Sequence, residues 1–291
     1  MTALDPRLNA FRPDLADIRL KGRIAADRFV AGEEFVTIAP TAGLYSRPEH
    51  DAPLQTELLY GEPVHVFETT GEGWCWVQST IDRYVGWVGR EALSSEMPRP
   101  THIVSVPRTF VFSAPDIKSR PLAILTLGAR VALSGVAEDH NARYGLISPA
   151  GAVVMQHLRP LGEPLPDFVA VAESLTGTPY LWGGRSANGI DCSGLIQLAL
   201  AVAGISAPRD TDMQEAAIGE ALAPAKPLPT LKRGDLVYWK RHAGIMQDGG
   251  TLLHANARHM AVASEPLTQT ISRLDKAGLP VSAIRRLPHY Q

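Results

Sequence analysis

The sequence predicts a multidomain chain in which two small all-β barrels precede an α+β domain with an antiparallel sheet. Three observations predict it. Short alternating apolar runs broken by Gly and Pro fill the first half of the chain. That texture occurs twice in the same order, and the remainder places helical spacing first and strands afterwards. A length of 291 residues leaves room for two or three domains of ordinary size.

In chain order, residues 1–30 are a polar leader, MTALDPRLNAFRPDLADIRL and its continuation, expected to pack on the body. Its early acids, its prolines and its lack of an apolar run do not read as a secretory signal. Residues 31–96 contain EFVTIAP, LLYGEPVHVFET, GWCWVQS and YVGWVGR, short strands of a first barrel. After the linker SSEMPRPTH, residues 97–162 repeat the texture with HIVSVPRTFVFSAP, ILTLGARVALSGVAE and GAVVMQHLRPL. LYSRPEHDAPLQTELLYGEPVHVF aligns with VFSAPDIKSRPLAILTLGARVALS, which implies an internal repeat of about sixty-five residues. Residues 163–291 follow the Pro-rich LGEPLPD. Phe168, Val169, Ala172 and Leu175 have helical spacing, SGLIQLALAVAG is a helix with Gly204 as its C-cap, and DLVYWK, HAGIMQD, TLLHANA and MAVASEPL are strands.

Composition bounds the function. Apolar residues are 45%, charged residues 20% and the net charge −2, with Lys and Arg spread along the chain. No basic patch suggests a nucleic-acid partner. No stretch approaches the roughly 18–20 apolar residues of a membrane span. A soluble cytoplasmic protein is expected, with Cys75 and Cys192 both reduced and Cys75 a core or rim residue.

The chemistry centres on Cys192. Asp191 precedes the helix as a natural N-cap, which puts Cys192 in the first turn, where unpaired N–H groups and the helix dipole favour a thiolate. The neighbouring carboxylate opposes ionisation, so a cationic partner is needed, and His242 in KRHAGIM supplies one at the start of a strand. His254 in TLLHANA falls on the next strand of the same hairpin, where it could hold the His242 ring. Other readings stay open: an inert buried cysteine, a core histidine, or a metal site of Cys192, His242 and His254. The last lacks the short ligand spacings of zinc motifs, so no metal or other cofactor is expected. His140, His157, His259 and His289 are expected on the surface.

DCSGL at a helix head, HAGI opening a strand and LHA closing a hairpin, together with YLWGG, KRGDLVYW and RDTDMQ, resemble the NlpC-type cysteine peptidases, a papain-like family that cleaves cell-wall peptides. The resemblance covers roughly residues 164–291. It implies Cys192 as nucleophile, His242 as general base and then acid, and His254 as the orienting residue. The two β modules resemble bacterial SH3-like domains, with YVGWV matching the closing strand in the first. That order resembles the branch of γ-D-glutamyl–L-diamino acid endopeptidases that trim free wall peptides with an unblocked N-terminal L-Ala. By that resemblance Asp191 takes the substrate amine and Ser193 lines the cleft. Glu57 and Tyr84 contribute from the first β module, the alternative being an exposed glutamate and a strand aromatic. Asp210 and Thr211 are further polar contacts. Tyr180 and Trp182 are cleft aromatics, Tyr180 also an oxyanion donor beside the Cys192 N–H, and Trp182 could instead be a packing residue. The expected substrate is a murein peptide of the L-Ala-γ-D-Glu-diaminopimelate type, used in wall-peptide recycling by a monomer. The competing functions are an amidase or acyltransferase on the same core and a non-catalytic peptidoglycan-binding protein.

Overall fold

Runs of alternating apolar residues with Gly and Pro breaks can bury one face only by pairing, and the first 161 residues do so in two seven-stranded antiparallel sheets and one short parallel pair, Leu15–Asp17 with Arg28–Val30. The structure, a computed structural model, describes residues 4–222, 228 and 230–287; His289 lies outside them. The chain divides into two units, Met1–Leu161 and Gly162–Gln291.

In the first unit, one seven-stranded sheet runs Leu54–Leu59, Thr41–Tyr45, Val85–Gly89, Trp74–Ser79, Pro63–Thr69, Glu33–Thr37, Leu93–Ser94. The other runs Pro121–Thr126, Arg108–Phe112, Ala152–Val154, Arg143–Ser148, Arg130–Glu138, His102–Val104, Leu158–Pro160. Taken in chain order, the strands are arranged identically in the two sheets, and each sheet's last strand follows a single 3-10 turn, Arg90–Ala92 or Met155–His157. The sequence repeat is thus a repeat of topology. Leu44, Leu58, Val64, Cys75, Val77 and Val88 fill the first core, and Val104, Val111, Leu125, Val131, Ile147 and Val153 the second. The leader packs on the first module: Ala10 and Leu15 are buried among Phe67, Trp74, Trp76 and Trp87, and the Arg12 guanidinium stacks 4.4 Å from the Trp76 ring centroid.

The second unit carries four helices and a six-stranded antiparallel sheet among its described residues. Helix α1 (Phe168–Glu173) starts where the Asp167 side chain accepts from Ala170 N at 2.9 Å. Helix α2 (Cys192–Val202) is buried at every position but Ala201, so it is a core helix rather than an amphipathic surface one. Its C-cap is Ala203, one residue before the Gly204 that the sequence suggested. Gly204 follows in the left-handed region at φ +77°, letting Ile205 N reach back to Leu200 O at 2.8 Å. Helices α3 (Thr211–Ala217) and α4 (Leu267–Lys276) complete the set. The strands are β1 (Glu220–Leu222), β2 (Leu236–Trp239), β3 (His242–Met246), β4 (Thr251–Asn256), β5 (Ala261–Pro266) and β6 (Val281–Arg286), in the sheet order β1-β6-β2-β3-β4-β5. Helix α2 packs on β3 and β4. No helix among the described residues is long and apolar enough to cross a membrane.

The Gly-Asp ahead of β2 has a structural purpose. Asp235 is 1% exposed, accepts from Lys232 N at 2.8 Å, and takes both ends of the Arg286 guanidinium at 2.7 and 2.6 Å, clamping the start of β2 to β6. Asp235→Ala leaves the Lys232 amide without its acceptor and Arg286 with only the Thr230 carbonyl. A loss of about 2–4 kcal/mol is expected in urea denaturation, against well under half of that for Arg286→Lys.

Candidate active site

The head of α2 is built around one buried carboxylate. Asp191 Oδ1 accepts from Gly194 N at 2.7 Å, from Ser193 Oγ at 3.2 Å and from Arg209 Nη1 at 2.9 Å. Its Oδ2 accepts from Gly183 N at 2.9 Å and from Arg209 Nη2 at 2.7 Å. Arg209, 1% exposed, also donates to Ser193 Oγ at 2.8 Å and Gly184 O at 3.3 Å. The YLWGG segment is thereby drawn against the helix. A Cβ on Gly194 would fall 2.4 Å from Gly184 O, so a glycine there is a condition of the close approach. Gln214 on α3 braces the same turn, donating to Ser193 O and Pro208 O at 2.9 Å each.

Cys192 is therefore the first residue of α2, with a backbone N–H that has no intrahelical acceptor. The Ala243 amide lies where it favours the thiolate form, and the start of β3 packs against α2. His242, the neighbour of Ala243, has Nε2 2.8 Å from His254 Nδ1. Strand pairing explains the contact. Ile245 faces Leu253 and Met246 faces Leu252, a register that sets Gly244 opposite His254 and makes His242 its diagonal neighbour on the same face. A Cβ at Gly244 would lie 2.8 Å from Leu252 Cδ1 and 3.1 Å from His254 Cβ, so the glycine of HAGI opens the space in which the two rings meet. The fully buried Trp239 lies against the other ring neighbour of the pair, 5.7 Å from the His242 centroid.

Electrostatics differ from the sequence expectation of a lowered thiol. Burial first, and the Asp191 charge second, push Cys192 up to about 12. Burial, reinforced by His254, brings His242 down to about 3. At neutral pH the resting pair is thus thiol and neutral imidazole, and the Ala243 and Ser193 amides and Arg209 only partly offset the burial. Such a pair can still perform nucleophilic chemistry, with the imidazole removing the thiol proton as the sulfur attacks. Tyr180 is kept protonated by burial and then by the charges of Cys192 and Asp191, so its hydroxyl is available as a donor near the sulfur.

The other residues expected at the site separate clearly. Asp191 and Ser193 are 7% and 5% exposed and already engaged with Arg209. Asp191 caps the helix and anchors Arg209, so an ammonium reaching it would share the carboxylate with that guanidinium. Trp182 is 63% exposed beside Leu181 at 42%, which removes the packing reading of that indole. Asp210 and Thr211 are partly exposed at the head of α3. In the first unit, Glu57 (9% exposed) lies on Leu54–Leu59 and Tyr84 (3%) joins the first barrel core. His140 and His259 are exposed, whereas His157 is half-buried with Nδ1 2.8 Å from Thr109 Oγ1.

Sequence reasoning missed Arg209 and Glu265. Arg209 stands in the RDTDMQ segment itself, and a buried aspartate at a helix head should have prompted a search for its counter-ion. Glu265 had no local signal. It lies on β5, 7% exposed, with Oε1 2.9 Å from His254 Nε2, a contact off-axis for a hydrogen bond. Arg273 on α4 grips both of its oxygens at 3.0 and 2.5 Å and holds the carboxyl down to about 2. His254, His259 and Glu265 have ligand-type atoms within 4.8 Å of one another, but the carboxylate of that group is already neutralised by Arg273.

Comparison with known proteins matches residues 177–275 to the NlpC/P60 family and residues 44–93 to the bacterial dipeptidyl-peptidase SH3 domain. The chain is 28% identical over 243 residues to a γ-D-glutamyl-L-lysine dipeptidyl-peptidase of Bacillus subtilis, covering 76% of this chain and 78% of that one. It is 28% identical over 240 residues to dipeptidyl-peptidase 6 of Lysinibacillus sphaericus, covering 76% and 87%. A crystal structure of an NlpC/P60 family protein from Bacillus cereus shares the fold, with a TM-score of 0.71 at 20% identity over 87% of this chain and 99% of that one.

Two outcomes are expected from this geometry. Gly244→Ala should leave a folded protein in which His254 is displaced, with kcat/KM reduced by about 10- to 100-fold in steady-state assays. The histidines also set an acid limit to stability. His242 and His254 stay neutral when folded, their values lowered to about 3 and about 4, while the unfolded chain protonates both near the ordinary value of about 6.5. Stability is therefore full above about pH 6.5 and falls on acidification until the native rings protonate, by up to about 1.4 kcal/mol per ring and pH unit. Urea midpoints measured from pH 7.5 to 4.5 should drop along this course, less steeply for His254→Gln.

Proposed function

Residues 177–275 belong to the NlpC/P60 family of cysteine peptidases, and from that premise we propose that this chain hydrolyses the bond between γ-D-Glu and a diamino acid in small murein peptides with a free N-terminal L-Ala. The observation that carries the reading is the placement of Cys192 at the head of α2 against β3, with the His242–His254 ring pair formed on the adjoining hairpin. The dipeptidyl-peptidase SH3 match ahead of it, and the names of the two relatives that align over most of their length, support the substrate class. The topological identity of the second β module with the first supports its reading as a second SH3-like domain.

In the proposed reaction Cys192 Sγ attacks the γ-carbonyl of D-Glu while His242 takes the thiol proton. The Cys192 N–H and the Tyr180 hydroxyl donate to the oxygen as it becomes negative. His242 then passes its proton to the departing amine of the diamino acid, leaving a thioester between Cys192 and L-Ala-γ-D-Glu. Water deprotonated by His242 hydrolyses the thioester and restores the thiol. Trp182, Asp210 and Thr211 line the peptide's path. The free ammonium of L-Ala is assigned to Asp191, whose carboxylate it would share with Arg209. A need for a free amine would direct the enzyme to released peptides rather than intact wall, and so to recycling.

Mass spectrometry of products from L-Ala-γ-D-Glu-diaminopimelate, its L-Lys counterpart and their N-acetylated forms tests this. Cleavage of the free peptides to L-Ala-γ-D-Glu, with at least 10³-fold loss in Cys192→Ala, is expected. Equal cleavage of the acetylated forms would remove the ammonium role of Asp191. Failure to cleave any of them would sink the substrate reading.

A further inference from the structure

We propose that Glu265 is a positioning residue that selects the tautomers of His254 and His242, extending the catalytic pair into a buried relay ended by Arg273. The inference rests on the roles given above to Cys192 and His242. The relay crosses three elements: His242 on β3, His254 on β4, and Glu265 on β5, with Arg273 reaching back from α4. Leu252 faces Glu265 and His254 faces Ala263, so Glu265 is the diagonal neighbour of His254 on one sheet face.

Proton counting gives the chain its direction. Two neutral imidazoles hold two protons on four nitrogens. His242 Nε2 is occupied with His254 Nδ1, so Nδ1 is the nitrogen of His242 left to receive the thiol proton. It can do so only when bare, which puts the His242 proton on Nε2 and requires His254 Nδ1 to accept. The proton of His254 must then sit on Nε2, the nitrogen 2.9 Å from Glu265 Oε1. In the opposite arrangement His254 Nδ1–H donates to His242, His242 Nδ1 carries a proton and cannot act as a base, and a bare His254 Nε2 faces a carboxylate. The carboxylate disfavours that idle arrangement electrostatically, even with its contact to His254 off-axis. The Arg273 clamp keeps Glu265 ionised and in place, and the fully buried His254 offers no competing water contact. The charged or titratable groups facing the relay are His242, His259, Glu265 and Arg273.

Glu265→Gln is a demanding test because it is nearly isosteric. Arg273 binds only the amide oxygen, so the NH2 turns to His254 Nε2 and demands a lone pair there, which is the idle tautomer. Full-length protein labelled with 15N-histidine would be compared, wild type against E265Q, by long-range 1H–15N NMR of the imidazoles. Turnover of the free murein tripeptide and iodoacetamide alkylation of Cys192 would be measured alongside. The wild type should carry its His254 proton on Nε2 and E265Q on Nδ1. E265Q should lose on the order of 10²-fold in kcat with KM little changed, below the ~10⁴ seen when a triad acid contacts the base directly. Alkylation should slow in parallel, and Glu265→Asp should recover part of both rates. Wild-type kcat in E265Q, or a wild-type His254 protonated on Nδ1, overturns the proposal, and the second holds even if E265Q fails to fold. If the wild type cleaves no murein peptide while alkylation and tautomer still respond to E265Q, the substrate reading falls and the role of Glu265 stands.

Discussion

A carboxylate sealed from water has to be matched, and the active unit is organised by how Asp191 is matched. Five donors converge on it, three from the backbone and hydroxyl groups around the helix head and two from the buried guanidinium of Arg209. Removing either partner of such a pair would strand a buried charge, so the YLWGG turn, the head of α2 and the segment leading into α3 are locked together. That lock fixes where Cys192 presents its sulfur and its N–H. The same charge opposes ionisation of the thiol, so the device that positions Cys192 also keeps it neutral.

Across the site the sheet does the corresponding work for the base. Two histidines on adjacent strands would ordinarily be held apart by the side chain between them, and Gly244 removes it. The ring pair is buried and both members resist protonation, which suits a base that must be neutral before attack. Glu265 and Arg273 close the far side of His254 with a paired charge rather than a bare one. Cys192 and the histidine pair thus sit in frames stabilised by separate ion pairs, Asp191–Arg209 behind one and Glu265–Arg273 behind the other.

The β modules achieve stability by a different route. Each encloses a small apolar core with short strands in a repeated order, and the first gains a further aromatic layer where the leader packs. The second module lacks the YVGWV signature, yet it keeps the strand order.

The amino-acid sequence by itself determined what depends on local pattern. Period-two runs gave the strands and their repetition, Asp191 gave the start of α2, and the spacing of Cys192, His242 and His254 gave the candidate site. The placement of the two histidines on adjacent strands of one hairpin was legible too, but their diagonal register came from the structure. What only the tertiary structure decided depends on burial and on partners distant in sequence. The thiol and imidazole are shifted toward neutrality by desolvation, which no spacing rule measures. Arg209 made Asp191 an anchor of the helix head, and Glu265 reached His254 only because β5 lies beside β4 with α4 folded back over it. Local chemistry is written along the chain, while the charge each group bears is set by what the fold packs around it.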